Sequence, residues 1–332
     1  VISEVKNEDF DLLSRNRDFI NENAEKVADQ FDIRKIEFSS LMTDSNYRSE
    51  LVEQDIKETD DVFQKFVQMA IAGEHKSGTD FAFVNLQRNL SIIQEVLMAK
   101  LISELKIFKD GVDVSLASEY DDTFNHTDVI AEEREVVNYE ESLTTFDITF
   151  SKTNVIEKLD KLEKMTKFIN TPTNGKIKNY WELRYYKSEL TGNSGQIDFS
   201  PKLILGLSVK HILELYKSYT EKNFPEPLGA CLGLDKRYDY DYHPAKILIL
   251  EEMIAQAEYL KNSAIDKKNA RLESRYAKLS LALNNRLHEL KLNYASNEKG
   301  QKVLDEIDVY KIADQVYTNL FKKIQLQPLG SN

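Results

Sequence analysis

A mixed α/β core held between two helical regions is what the sequence predicts, and three observations predict it. Over residues 1–110 and again over 243–325, apolar side chains return every three or four positions, the helical period. Between them lie TDVIAEE, TTFDITF and KLILGLS, short runs rich in β-branched and aromatic residues, as strands are. Amphipathic stretches separate these runs, and strands alternating with helices make an α/β core. The chain divides accordingly: 1–80 an acidic helical front, 81–242 the α/β core, 243–332 a helical C-terminal region.

Over residues 1–110, VFQKFVQMAIAGEH and the long run to ELKIF are helical, with Val84, Ile92, Val96, Ala99 and Ile102 on one stripe. GEHKSGTD (73–80) reads as a loop with Ser77, Thr79 and Asp80 as N-caps. KDGVD (109–113) reads as the helix end, Gly111 near the C′ position. In the middle, Asp121 and Asp122 precede a turn-like TFNHT, and Asp128 opens a strand. TTFDITF is the next strand, and NVIEKLDKLEKMTKFI a helix with Val155, Leu159, Leu162 and Phe168 on one face. WELRYYKS is a further strand candidate, KLILGLS another, and SVKHILELYKSY an amphipathic helix. The stretch from His243 to Leu290 has almost no breakers and forms one or two long helices, with Pro244 where the first helical residue would be.

Bulk composition narrows the function classes. An apolar content of 41% and 10% aromatics suffice for a buried core. One cysteine, Cys231, excludes an intrachain disulfide and a Cys-based zinc cluster, and fits a reducing cytoplasm. VISEVKNEDFDLL is too polar for a signal peptide. No apolar run approaches the roughly 20 residues that span a bilayer, so no membrane partner is expected. A net charge of −12 disfavours non-specific adhesion to nucleic acid. The charge is uneven: residues 1–60 hold 16 acids against 8 Lys/Arg, and 261–291 hold 8 Lys/Arg against 3 acids. The acidic front suggests a segment that covers the functional site until a partner moves it.

The carboxylates of EYDDTFNHTDVIAEE carry the chemistry. Asp121, Asp122 and Asp128 fall within eight positions. At about 4 Å and an effective dielectric of about 20, a like-charged pair costs on the order of 4 kcal/mol. Either the acids spread over a wet turn, or a cation belongs between them. Asp147, between Phe146 and Ile148, adds an acid to an apolar strand, where a charge needs a partner or a metal. Acids on adjacent strands converge at a sheet edge and suit Mg²⁺ or Mn²⁺. The plainer alternative has Asp147 capping a turn or pairing with Arg184.

YDDTFNHTDVIAE, FDITFSK, LRYYKSE and SPKLILGLS together resemble the PD-(D/E)XK nuclease superfamily, nearest to uncharacterised nuclease-like proteins of candidate-phyla bacteria. The likeness spans roughly residues 85–260. It implies a PD-(D/E)XK-like central sheet with flanking helices, with Asp128 and Asp147 as metal ligands and Asp122 assisting. That group tends to show DD-x-x-N-G-x-D; here His126 stands where Gly is usual. Thr149 stands at the position of the superfamily's lysine, which orients or polarises the attacking water, and threonine carries no positive charge. Lys158 and Lys161, three apart on the next helix, are the first replacements; Lys152, Arg184 and Lys187 are others. The preceding helix often contributes a Glu, here Glu95 or Glu104, Glu95 favoured. The resemblance implies divalent-metal-dependent cleavage of a phosphodiester, with DNA as the substrate. The alternative is a catalytically inactive nuclease fold that binds nucleic acid or a protein partner, which Thr149 favours. A helical scaffold in a larger assembly is a third.

Other signals weigh less. Lys267, Lys268, Arg271, Arg275 and Lys278 are the best electrostatic match to a phosphate backbone, or a solvated helix face. YWELRYYK (180–187) either stacks bases or packs in the core. DYDYHP (239–244) reads as a loop before a helix rather than a metal site. NTPTNGKIKN lacks the spacing of a phosphate loop, and GACLGLDK is too sparse for a dinucleotide site.

Overall fold

The computed structural model describes residues 7–77, 81–107, 112–133, 143–150, 152–166, 181–188, 190–223 and 238–326. The fold is mixed α/β: a five-stranded mixed sheet flanked by helices, with a separate two-stranded hairpin. The front holds α1 (Asn7–Arg15), α2 (Arg17–Ala24), α3 (Val27–Phe31), β1 (Arg34–Lys35), α4 (Phe38–Met42) and α5 (Ser49–Ser77). The core holds α6 (Phe81–Leu105), β2 (Val112–Leu116), α7 (Glu119–Asn125), β3 (Val129–Glu133), β4 (Leu143–Ile148), α8 (Lys152–Met165), β5 (Leu183–Lys187), β6 (Ser194–Ile197), β7 (Lys202–Leu205) and α9 (Val209–Asn223). The C-terminal region holds α10 (Ala245–Asp266), α11 (Ala270–Ala295), α12 (Glu298–Ala313) and α13 (Gln315–Leu326). No helix among the described residues is long and apolar enough to cross a membrane.

The sheet runs β1-β2-β3-β4-β7. β2, β3 and β4 pair antiparallel, and β7, which follows α8 and the β5–β6 hairpin in the chain, pairs parallel with β4. Strand alternation gives the sheet two faces. Val129 and Ala131 of β3, and Phe146 and Ile148 of β4, enter the main apolar core. Ile130 and Leu143 enter a smaller one with Leu41, Val52, Tyr185 and Ile197. By the same alternation Asp147 lies on the face of β4 opposite Phe146 and Ile148.

Several expectations are corrected. KDGVD (109–113) is not the helix end: α6 stops at Leu105, Lys106 takes the left-handed φ of 46°, and β2 has begun by Val112. Gly111, Thr79, Asp80 and Cys231 lie outside the described residues, as do NTPTNGKIKN and GACLGLDK. GEHKSGTD opens as helix, since α5 continues through Ser77. The TFN of the turn-like TFNHT belongs to α7: Ser118 caps this helix, accepting from the Asp121 amide at 3.1 Å, and acids in its first turn favour the helix dipole. WELRYYKS supplies β5 of the separate hairpin, not a strand of the main sheet. Trp181, Tyr185 and Tyr186 are buried, so none offers a face to a base. The C-terminal run is two helices, broken where Lys268 turns left-handed (φ 54°) and Asn269 caps α11. Pro244 is the N-cap of α10 rather than its first residue, within the usual uncertainty of helix ends.

Candidate metal and phosphate site

The five acids of interest separate into two groups. Asp121 faces the hairpin, wholly buried, and accepts from Ser118 Oγ (2.8 Å), Asn125 Nδ2 (2.7 Å) and the amides of Arg184 (2.7 Å) and Tyr185 (3.0 Å). It fastens α7 to β5 and has no capacity left for a ligand. Arg184 is taken by Asp55 at 2.9 Å, so the expected Asp147–Arg184 pair does not form.

Asp122, Asp128, Asp147 and Glu95 form the second group. In the β3–β4 register Val129 lies opposite Phe146, and one step further brings Asp128 level with Asp147. Both are buried, at 8% and 2% exposure. Asp128 accepts the Ile148 amide, which locks its carboxylate against β4. Lys158 of α8 reaches Asp147 and also donates to the Ile148 carbonyl at 3.0 Å. Lys158 thus sets a positive charge against Asp147. Thr149 itself is part of the sheet edge: its amide donates to Leu205 O (2.9 Å), and its carbonyl accepts from Gln94 (3.0 Å).

Electrostatics bind the group together. Burial, then the charges of Asp122 and Asp147, push Asp128 well above the usual carboxylate range. Burial and then Asp128 push Glu95 up to about 8, against a 3.1 Å hydrogen bond from Ser91. Asp122 keeps a side open to water. Crowding of the rest of its carboxyl, then Glu95, push it up to about 7, and water on the open side damps that rise. Burial opposes the Lys158 ammonium, but Asp147 and Asp128 outweigh it and raise its pKa, so Lys158 is a cation.

Two lysines and a histidine complete the surroundings. Lys202, wholly inside β7, donates to the carbonyls of Asn125 and His126, the latter at 3.1 Å. Burial pushes it down to about 8 although Asp147 and Asp128 pull the other way. Lys161 Nζ lies 2.9 Å from His126 Nε2. His126 ends α7 with φ 52° and ψ 51°, the left-handed conformation that glycine adopts without cost. That is why glycine suits this position.

These residues fit a divalent cation by donor chemistry. Their oxygens are hard, and burial and mutual repulsion drive three of the acids toward protonation, a strain that a bound cation relieves. Among the described residues no group of three His, Cys, Asp or Glu side chains forms a ready-made cage. Mg²⁺ retains several waters and binds through one or two carboxylates, so the residues that would hold it are Asp128 and Asp147, with Lys158 competing for Asp147. Glu104 is engaged elsewhere, by Tyr240 at 2.8 Å.

The basic stretch at 267–278 mostly serves the fold. Lys267 donates to Glu163 O, Thr166 Oγ1 and Ser263 Oγ (2.8, 2.7 and 2.6 Å), holding the end of α8. Arg275 donates to Leu143 O at 2.8 Å, and the Arg271 guanidinium lies 4.8 Å from the Phe199 ring centre. Lys268 and Lys278 are exposed. In DYDYHP, Asp239 pairs with Lys299 at 2.8 Å, Asp241 with Lys222, and His243 is buried, so the three do not converge. Comparison with known proteins gives no family model, no curated protein and no solved structure that matches the chain.

Proposed function

We propose that this chain is a divalent-metal-dependent nuclease that cleaves phosphodiester bonds in nucleic acid, DNA first, on a sheet of the PD-(D/E)XK kind. One observation carries the reading: two acids stand level on adjacent strands, with a lysine from the following helix against the second. This arrangement supports a superfamily pattern of a helix, an acid on one strand and an acid plus lysine on the next, in which the lysine would be relocated from Thr149 to Lys158. Asp128 and Asp147 would hold Mg²⁺ or Mn²⁺, with Asp122 and Glu95 behind them. When bound, the ion neutralises phosphate charge and acidifies a coordinated water. Lys158, being cationic, takes no proton from water; it orients the attacking oxygen and steadies charge on the phosphate. Asp128, fixed by the Ile148 amide, keeps that geometry from drifting.

A second reading has its own observation. Asp147 already has a charge partner in Lys158, which is how a site that has lost its metal keeps a buried carboxylate satisfied. The protein would then bind nucleic acid or a protein partner without cleaving. Calorimetry with Mn²⁺ on the wild type, Asp147→Asn and Lys158→Met, with plasmid nicking on the same samples, separates the two. The nuclease reading expects Mn²⁺ binding that Asp147→Asn weakens at least tenfold, and nicking that both variants lose by roughly 100-fold or more. Wild-type protein that neither binds Mn²⁺ nor nicks belongs to the second reading.

A further inference from the structure

Beside the carboxylates lies a cationic edge that the cleavage chemistry leaves unused. Lys202 is 1% exposed, and a buried ammonium is costly unless its hydrogen bonds are met. It meets them on the carbonyls of Asn125 and His126, so a buried charge is devoted to fixing one short corner. That corner holds the His126 imidazole against α8, where Lys161 Nζ approaches Nε2 to 2.9 Å. Lys161 is exposed, and it follows Lys158 by three residues, on the same side of the helix. The Lys161 ammonium is thereby held at the surface, next to Asp147 and its partner Lys158.

We infer that Lys161 and His126 form a phosphate-binding edge, which holds the nucleic-acid phosphate adjoining the one at Asp128 and Asp147. The inference rests on the nuclease reading and names how that site grips its substrate. A chain of net charge −12 repels a polyanion at long range, and four clustered carboxyls repel it at short range. A strand stays at such a site only where local cations outweigh both. The solvent-facing Lys161 is placed to do so without breaking the Lys158–Asp147 pair. His126 is a positioning partner: its imidazole fixes the Lys161 ammonium.

The test is fluorescence anisotropy of a short fluorescein-labelled duplex DNA, with Ca²⁺ replacing Mg²⁺, over a series of salt concentrations. Lys161→Met is expected to weaken binding roughly tenfold and to lower the slope of log affinity against log salt by about one, while Lys161→Arg keeps most of both. His126→Gly suits the left-handed backbone, so it folds, and it is expected to weaken binding in the same direction. Thermal melts of each variant show that the fold is retained. The nicking assay on the same preparations keeps two failures apart. Wild-type nicking, with affinity and slope unchanged in Lys161→Met, overturns the phosphate edge alone. A wild type that neither binds the duplex nor nicks overturns the nuclease reading and the edge with it.

Discussion

Glu252 illustrates what burial does to a single carboxyl. It is wholly buried in α10; Oε2 accepts the Gly206 amide at 3.3 Å, while Oε1 has no partner among the described residues. Burial, then the charge of Asp314, push its pKa well above the ordinary value. The sign follows from proton counts. Between the unfolded value near 4.3 and the raised folded value, the folded state holds a proton that the unfolded chain has lost. This contribution to stability is therefore present at low pH and falls as pH rises, by up to about 1.4 kcal/mol per pH unit. Glu252→Gln mimics the protonated acid, so it is expected to cost little at pH 5 and to gain on the wild type toward pH 8. Urea midpoints at the two pH values measure it; parallel curves would show Glu252 ionised in the fold. Such residues were illegible in the sequence, because Glu252, Gly206 and Asp314 meet only through the fold. Lys202 was missed likewise, its acceptors lying 76 and 77 residues away. Asp128, Asp147, Lys158 and Lys161 were legible, because strand alternation and helix spacing are local rules.

At the scale of elements, the exit of β7 beside β4 depends on one small residue. A Cβ on Gly206 would stand 2.0 Å from the Thr149 carbonyl oxygen and 2.9 Å from Val316 Cγ1. The Thr149 oxygen is backbone at the end of the strand that carries Asp147, and it cannot yield without moving that strand. Gly206→Ala is therefore expected to destabilise by about 3 kcal/mol or more and to weaken Mn²⁺ binding as β4 shifts. A denaturation curve superposable on the wild type's would refute the close approach. The strands at TDVIAEE, TTFDITF and KLILGLS were legible because β-branched runs bounded by polar residues have few other uses. β6 was not, since Ser194-Gly195-Gln196 carries no β signal and owes its pairing to β5 and to Tyr47, whose hydroxyl accepts the Gly195 amide at 2.8 Å. The end of α7 reads as turn-like because Thr and Asn suit turns as well as helix ends; the Ser118 cap and the contacts of Asp121 decide for the helix.

Across the whole molecule, the acidic front is built into the core. Leu13, Phe19, Ile20, Val27 and Phe31 join the main apolar cluster with α6 and α9, and Leu41 and Val52 join the smaller one against the hairpin. The acids of this region that reach the core region meet cations of β5: Asp55 pairs with Arg184 at 2.9 Å and receives the Tyr185 hydroxyl at 2.6 Å, and Asp44 lies 3.6 Å from Lys187. Charge counting alone suggested a removable cover over the site, because composition shows where acids are in the chain and not what they touch. Seven buried apolar side chains contribute about 1.5–3 kcal/mol each, against a total stability of about 5–15 kcal/mol for a typical protein. Deleting residues 1–60 is thus expected to abolish cooperative unfolding and leave aggregated protein, not a more active one. Circular-dichroism melts and gel filtration of the truncated chain measure this. A truncated chain that melts cooperatively and binds the duplex more tightly than the wild type would restore the cover. Asp55→Asn asks the same question without removing the core. It weakens one partly buried ion pair and one hydrogen bond, so a loss of about 1–3 kcal/mol with unchanged DNA binding is expected if the front is structural.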